Sequence, residues 1–195
     1  MLGDIKLFKN GITIQFMRTI KQLEEDFLNL KIHPTAWLGD SPSRFGTYKK
    51  YASMVDTVVE FGVYTGLSTT AFLAANPKKL RSYDITDVNL SILSELVSYA
   101  ESNNIDFQFI IGNSLEIEID NTDLLFIDTV HKRKHTEAEL QRHSKNVNKY
   151  IILHDTTAWP GVFEAVVDFL IKNNEWFIVE HCNKDSGMIV LKRYD

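Results

Sequence analysis

From residue 55 onward the sequence alternates between short apolar runs and amphipathic stretches, and this restricts the possible folds more than any other feature. DTVVEFG (56–62) has the pattern of a buried strand, and TTAFLAANP (69–77) is helical and stops at Pro77. LRSYDI is a second strand. VNLSILSELVSYAESNN is an amphipathic helix with Leu90, Leu93, Leu96, Val97 and Ala100 on one face. FQFIIG and DLLFID are strands, HTEAELQRHSKNV a helix, YIILHD a strand and GVFEAVVDFLIKNN a helix. Such alternation implies βαβ units and a largely parallel sheet. The last strands, WFIVEHC and GMIVLKR, are joined only by NKDS (183–186). A link that short cannot carry a parallel crossover, so they pair antiparallel. The expected fold is α/β: a doubly wound, mostly parallel sheet ending in an antiparallel hairpin.

The region before the sheet is read differently. Phe16, Ile20, Leu23, Phe27 and Leu30 recur at helical spacing, and this helix ends before Pro34. Residues 37–51 read as a loop because Gly39, Pro42 and Gly46 punctuate them. Its Trp37, Phe45 and Tyr48 make it either a connector packed by aromatics or a lid over a ligand. The expected organisation is an N-terminal helix and lid-like loop over residues 1–51, followed by one compact unit over 52–195. The 195 residues suffice for a sizeable core.

Composition narrows the partners. A net charge of −5 argues against a broad nucleic-acid footprint. The single cysteine, Cys182, excludes an internal disulfide and a cysteine-based zinc site, and suits a reducing, cytoplasmic compartment. The opening MLGDIKLFKNGI, with Asp4, is not expected to act as a signal peptide, and no apolar run is long enough to span a membrane.

The first strand runs into EFGVYTGLSTT (60–70). Gly62 and Gly66 stand where strand becomes helix, the edge at which open α/β sheets bind ligands. The spacing is G-x-x-x-G, without the G-x-G-x-x-G that cradles a pyrophosphate. Glu60 suits a cationic ligand or a ribose hydroxyl better than a phosphate. Asp84 ends the next strand about 20 residues after the loop, where an acid can take ribose hydroxyls. Asn113 and Ser114 end the third strand, on the same rim. On spacing alone the loop could also be a plain turn, and Asp84 a capping residue.

These segments together resemble class I S-adenosylmethionine-dependent methyltransferases, which have a Rossmann-like sheet. VVEFGVYTGLS (58–68) is similar to their first motif, E/D-x-G-x-x-x-G, Asp84 to their ribose-binding acid and Gly112-Asn113-Ser114 to their adenine-side segment. The resemblance covers roughly residues 50–192. It implies S-adenosylmethionine as cofactor, with Glu60, Gly62, Tyr64, Thr65, Gly66, Ser68, Asp84, Asn113 and Ser114 as its binding residues. Asn113 departs from the usual acid of that segment.

A second group lies further along the rim. FIDTVH and YIILHD end in Asp128 and Asp155. If the two strands are neighbours, these carboxylates lie side by side and repel unless a cation or a proton intervenes. A divalent cation with oxygen ligands is the simplest resolution. His154 could add a nitrogen ligand, but ideal alternation points it to the other face unless the strand has ended. Alternatively, Asp155 caps a turn and His154 packs under the sheet.

FIDTVH with ILHDTTAWPGVFEAV resembles a metal-dependent subgroup of O-methyltransferases. Its members act on sugar hydroxyls of antibiotics or are relatives of a cephalosporin-modifying methyltransferase. The resemblance implies magnesium held by Asp128 and Asp155, with His154 where many members have another acid, and His131 of the D-x-x-H motif as catalytic base beside Asp128. A zinc site from His131 and His135 is disfavoured, because Lys132, Arg133 and Lys134 lie between them. Those cations read as a solvated face able to attract an anionic acceptor, and His135 as the exposed start of a helix.

The leading expectation is an S-adenosylmethionine-dependent O-methyltransferase that acts on a small-molecule hydroxyl, such as a sugar's, with a divalent metal. A second subunit could help close the site, so a homo-oligomer is among the expected partners. A nicotinamide-dependent oxidoreductase and a non-catalytic nucleoside-binding module remain the alternatives.

Overall fold

A computed structural model describes residues 18–29, 42–86 and 92–194. Its centre is a seven-stranded sheet of β1 (Thr57–Phe61), β2 (Lys79–Asp84), β3 (Asp106–Ile111), β4 (Thr122–Ile127), β5 (Val147–His154), β6 (Trp176–Cys182) and β7 (Met188–Arg193), in the order β3-β2-β1-β4-β5-β7-β6. β1 to β5 are parallel, and β7 lies antiparallel between β5 and β6. The parallel core and terminal hairpin are as the sequence predicts. Alternation within each strand divides the core. Val58, Leu80, Leu124, Phe126 and Ile152 face one side, while Val59, Phe61, Leu125, Ile127 and Ile151 face the other.

The first side is covered by α1 (Ile20–Leu28), α2 (Pro42–Ala52), α3 (Leu67–Ala74) and α4 (Leu93–Ser102). The second is covered by α5 (Arg133–His143) and α6 (Pro160–Lys172). Thr19 caps α1 with a reciprocal Gln22 box, and Leu23 and Phe27 are buried as the helical spacing predicts. Phe16 and Leu30 lie outside the described residues. No helix among the described residues is long and apolar enough to cross a membrane.

Two sequence expectations are corrected. Pro42–Ala52, within the stretch read as a loop, is a helix. Pro42 opens it, where proline's missing N–H costs nothing. Phe45, Tyr48 and Ala52 then recur at helical spacing into the core, which outweighs the roughly 1 kcal/mol penalty of Gly46 in the helix interior. Tyr48 packs edge-on against Phe126 at 5.0 Å and tilted against Phe72 at 5.9 Å. Trp37 and Gly39 lie outside the described residues. In α4, Leu96 and Ala100 face the core, but Val97 is 37% exposed. Its place on the buried side goes to Glu95, which pairs with Arg18 (3.0 Å) and leaves Val97 turned outward. Leu90 is outside the described residues.

Candidate active site

The carboxyl ends of β1, β2, β3, β4 and β5 share one rim, because these strands are all parallel. The rim has two halves.

The first is a cleft of about 220 Å³ lined by Gly62, Asp84, Asn113, Ser114, Thr129, Val130 and His135 among others. The turn after β1 needs its glycines. Gly62 has φ +87°, and a Cβ there would meet the Asp128 carbonyl oxygen at 1.8 Å. Gly66 has φ +82° and begins α3. Between them Tyr64 also has a positive φ (48°) and is 63% exposed. Asp84 shapes this turn: its carboxylate accepts from the backbone N–H of Val63 (2.9 Å), Tyr64 (3.3 Å) and Thr86 (3.2 Å). It therefore sits both at the cleft wall and against the loop. Asn113 accepts from Leu115 N–H (3.0 Å) and donates to Glu116 (3.0 Å), which fixes the turn after β3.

Glu60 and Ser68, expected among the cofactor contacts, lie behind the loop. Glu60 has no exposed surface. Its carboxylate accepts from Ser68 (2.5 Å), Thr69 (2.8 Å) and Ser82 (2.5 Å), which fastens the start of α3 to β1 and β2. Burial drives its pKa up to about 7, against those hydroxyl donors, which lower it. The hydroxyls eight and nine residues after the glutamate were the signal of this brace in the sequence.

A second buried brace has no signature in the sequence. Glu139 on α5 is fully buried and accepts from Ser114 (2.6 Å) and Thr129 (2.8 Å). It also pairs with His135, 3.2 Å away. His135 is therefore half-buried and lines the cleft, whereas Lys132, Arg133 and Lys134 are exposed as expected. α5 begins at Arg133, so Glu139 falls beneath the cleft wall.

The second half of the rim gathers Asp128, His131, His154 and Asp155. β4 and β5 are neighbours with Ile127 opposite Leu153, which brings the two strand ends together as predicted. β5 ends at His154, and Asp155 takes a left-handed conformation (φ 62°). That reversal lets adjacent residues converge where a continued strand would separate them. His154 Nδ1 lies 3.2 Å from Asp128 and 3.3 Å from Asp155, while its Nε2 meets Ser186 Oγ at 3.0 Å. His131 Nε2 lies 3.2 Å from Asp128 and 2.9 Å from Asp155. Its ring stacks on Trp159 at 5.4 Å and 21°. Two imidazoles thus bridge two carboxylates. Burial acts to raise the Asp128 pKa, but the two histidines hold it well below the usual carboxylate range. For His131, burial lowers the pKa, and both aspartates outweigh it to push the value up to about 10.

One ligand atom each from Asp128, His131 and Asp155 falls within 4.8 Å of the others. The carboxylates and imidazoles fit a divalent cation. Oxygen donors suit magnesium or manganese, and nitrogen donors suit manganese, iron or zinc.

No protein-family model and no curated protein matches the sequence. Solved structures do match the fold. The O-methyltransferase from Bacillus cereus in complex with SAH (S-adenosylhomocysteine) is 13% identical with a TM-score of 0.64, covering 90% of this chain and 89% of that one. A putative caffeoyl-CoA O-methyltransferase from Staphylococcus aureus is 16% identical with a TM-score of 0.63, covering 91% and 93%. TomG from Streptomyces achromogenes, an O-methyltransferase of tomaymycin synthesis in complex with SAM, is 13% identical with a TM-score of 0.64, covering 91% of both chains. At such identities the likeness is one of fold, and it extends over nearly the whole chain.

Proposed function

We propose that this protein is an S-adenosylmethionine-dependent O-methyltransferase for a hydroxyl group of a small molecule, with a sugar or glycoside as the leading acceptor class. The observation that carries this reading is the single rim. A nucleoside-sized cleft with an acid on its wall adjoins a group of two carboxylates and two imidazoles. The fold shared with O-methyltransferases supports it.

The sulfonium donor supplies an already activated methyl group, so the protein's work is orientation and proton removal. Asp84 stands ready for the ribose hydroxyls while it holds the loop at Val63 and Tyr64. Ser114, Thr129, Val130 and His135 also line the cleft, and the base would lie against them. Asp128, Asp155 and His154 would hold a divalent cation such as magnesium, which lowers the pKa of a bound hydroxyl. His131 reaches the same carboxylates that would hold it. With those carboxylates engaged elsewhere, His131 loses the partners that raise its pKa and returns towards the range of a general base. Trp159 keeps the ring in place by stacking.

Calorimetry with S-adenosylhomocysteine and with NAD tests the donor assignment. S-adenosylhomocysteine should bind and NAD should not; the opposite result would make the protein an oxidoreductase. Release of S-adenosylhomocysteine across a panel of hydroxylated acceptors, with and without chelator, tests the reaction. A protein that binds the nucleoside but turns over no acceptor is a binding module.

A further inference from the structure

Charged side chains buried elsewhere in the described residues have partners: Glu60 its hydroxyls, Glu95 Arg18, and Glu139 Ser114, Thr129 and His135. Arg44 differs. It is 3% exposed on α2, and its Nη2 donates to the Lys184 carbonyl at 2.5 Å. Its Nε and Nη1 are buried without a hydrogen-bond partner, and no carboxylate among the described residues pairs with it.

Its place matters as much as its state. Arg44 lies one helical turn before Tyr48, so the two share a face of α2. The Tyr48 ring is 6.4 Å from that of His154. Lys184 belongs to the turn between β6 and β7, and that turn's Ser186 contacts His154. Arg44 is thus held at the junction of α2 and the hairpin, and both of these reach His154, α2 through Tyr48 and the hairpin through Ser186. A guanidinium cannot shed its proton to relieve the burial. A desolvated cation with unused N–H donors is unfavourable until an anion completes it, and its planar fork matches a carboxylate.

We infer that Arg44 binds a carboxylate of a ligand at the methyl-transfer site. This rests on the proposed function. That carboxylate has two sources: the amino-acid end of the sulfonium donor, or an acidic acceptor.

The test uses the full chain as wild type, Arg44→Gln, Arg44→Met and Arg44→Lys. Calorimetry is run with S-adenosylhomocysteine and with 5′-methylthioadenosine, which lacks the carboxylate. Thermal melts are run with and without acetate in the presence of the bound nucleoside. If the donor supplies the carboxylate, Arg44→Gln loses at least tenfold in affinity for S-adenosylhomocysteine and keeps its affinity for methylthioadenosine, with Arg44→Lys in between. If the acceptor supplies it, nucleoside affinities hold, and acetate raises the melting temperature of wild type but not of Arg44→Gln. Without ligand, Arg44→Met should melt at or above wild type, because a buried unpaired charge has been removed. A lower ligand-free melting temperature with both ligand responses intact would make Arg44 a structural residue and overturn the inference. Equal responses in wild type and Arg44→Gln overturn it too. Should wild type bind neither nucleoside, the methyltransferase reading fails, and acetate melts of the ligand-free proteins still decide Arg44.

Discussion

The two halves of the rim are built by different means. The cleft half relies on backbone geometry: Gly62 and Gly66 at positive φ, Asp84 on loop N–H groups, and the buried braces Glu60 and Glu139 behind the wall. The other half relies on four titratable side chains within hydrogen-bond reach, and one unusual backbone turn at Asp155. The first should respond to changes of shape and the second to protons and metal. A surface that must hold a constant nucleoside needs a fixed mould, whereas one that moves a proton needs groups whose charge can change.

The largest effects should come from the titratable half. His131→Ala and Asp128→Asn are each expected to slow methyl transfer by about 10²–10⁴-fold, the usual range for a lost acid–base group. Both should leave S-adenosylhomocysteine affinity nearly intact in calorimetry. Loss of nucleoside binding in either variant would merge the two halves into one. The same half predicts a pH signature. With chelator present, the His131 imidazolium should titrate near 10 by NMR, and added magnesium, which is diamagnetic, should lower that value. Because its folded pKa is raised, its contribution to stability is complete below the unfolded value and is lost as pH rises through about 10. A His131 titration that is indifferent to magnesium removes the shared-carboxylate argument.

Gly62→Ala attacks the mould. Its Cβ would sit 1.8 Å from the Asp128 carbonyl, so β1 and β4 must separate. A stability loss of about 3 kcal/mol or more by urea unfolding is expected, with nucleoside binding lost as well. Glu60→Gln is milder. The raised pKa of Glu60, about 7, means that the folded state holds a proton more tightly than the unfolded state. Stability from this group therefore falls as pH rises from the ordinary carboxylate range through about 7. The Gln variant should flatten that decline in melts recorded across this range. An unchanged slope would assign the decline to other groups.

Much of this is legible in the sequence. Hydrophobic alternation places the strands, the short NKDS link requires the hairpin, and Asp128 and Asp155 converge because their strands are neighbours. What was not legible shares a cause. Glu60 reads as a ligand contact because sequence spacing cannot show which way a strand residue points once a loop is nearby. Its partners Ser68, Thr69 and Ser82 come from α3 and β2. Glu139 lies eleven residues beyond Asp128, and only the pitch of α5 brings it beneath Ser114 and Thr129. α2 reads as a loop because Pro42 and Gly46 act as breakers in sequence, although Phe45, Tyr48 and Ala52 carry helical spacing. The convergence of His154 with Asp155 required the left-handed turn at Asp155, for which aspartate gives only a weak local preference.

The smallest effect should come from an exposed aromatic that touches the titratable half. Trp159 precedes α6, is 49% exposed and stacks on His131. Removing it deletes an aromatic contact worth roughly 0.5–1.5 kcal/mol and frees the ring to leave its two aspartates. Trp159→Ala should thus lower kcat by about tenfold or less, with donor affinity unchanged. Trp159→Phe keeps a stacking face and should recover most of the loss. If Ala and Phe behave alike, the stack does not orient His131, and the aspartates alone position the base. If instead KM for the acceptor rises while kcat holds, Trp159 is a wall of the acceptor pocket. The titratable half would then extend from proton transfer to substrate choice.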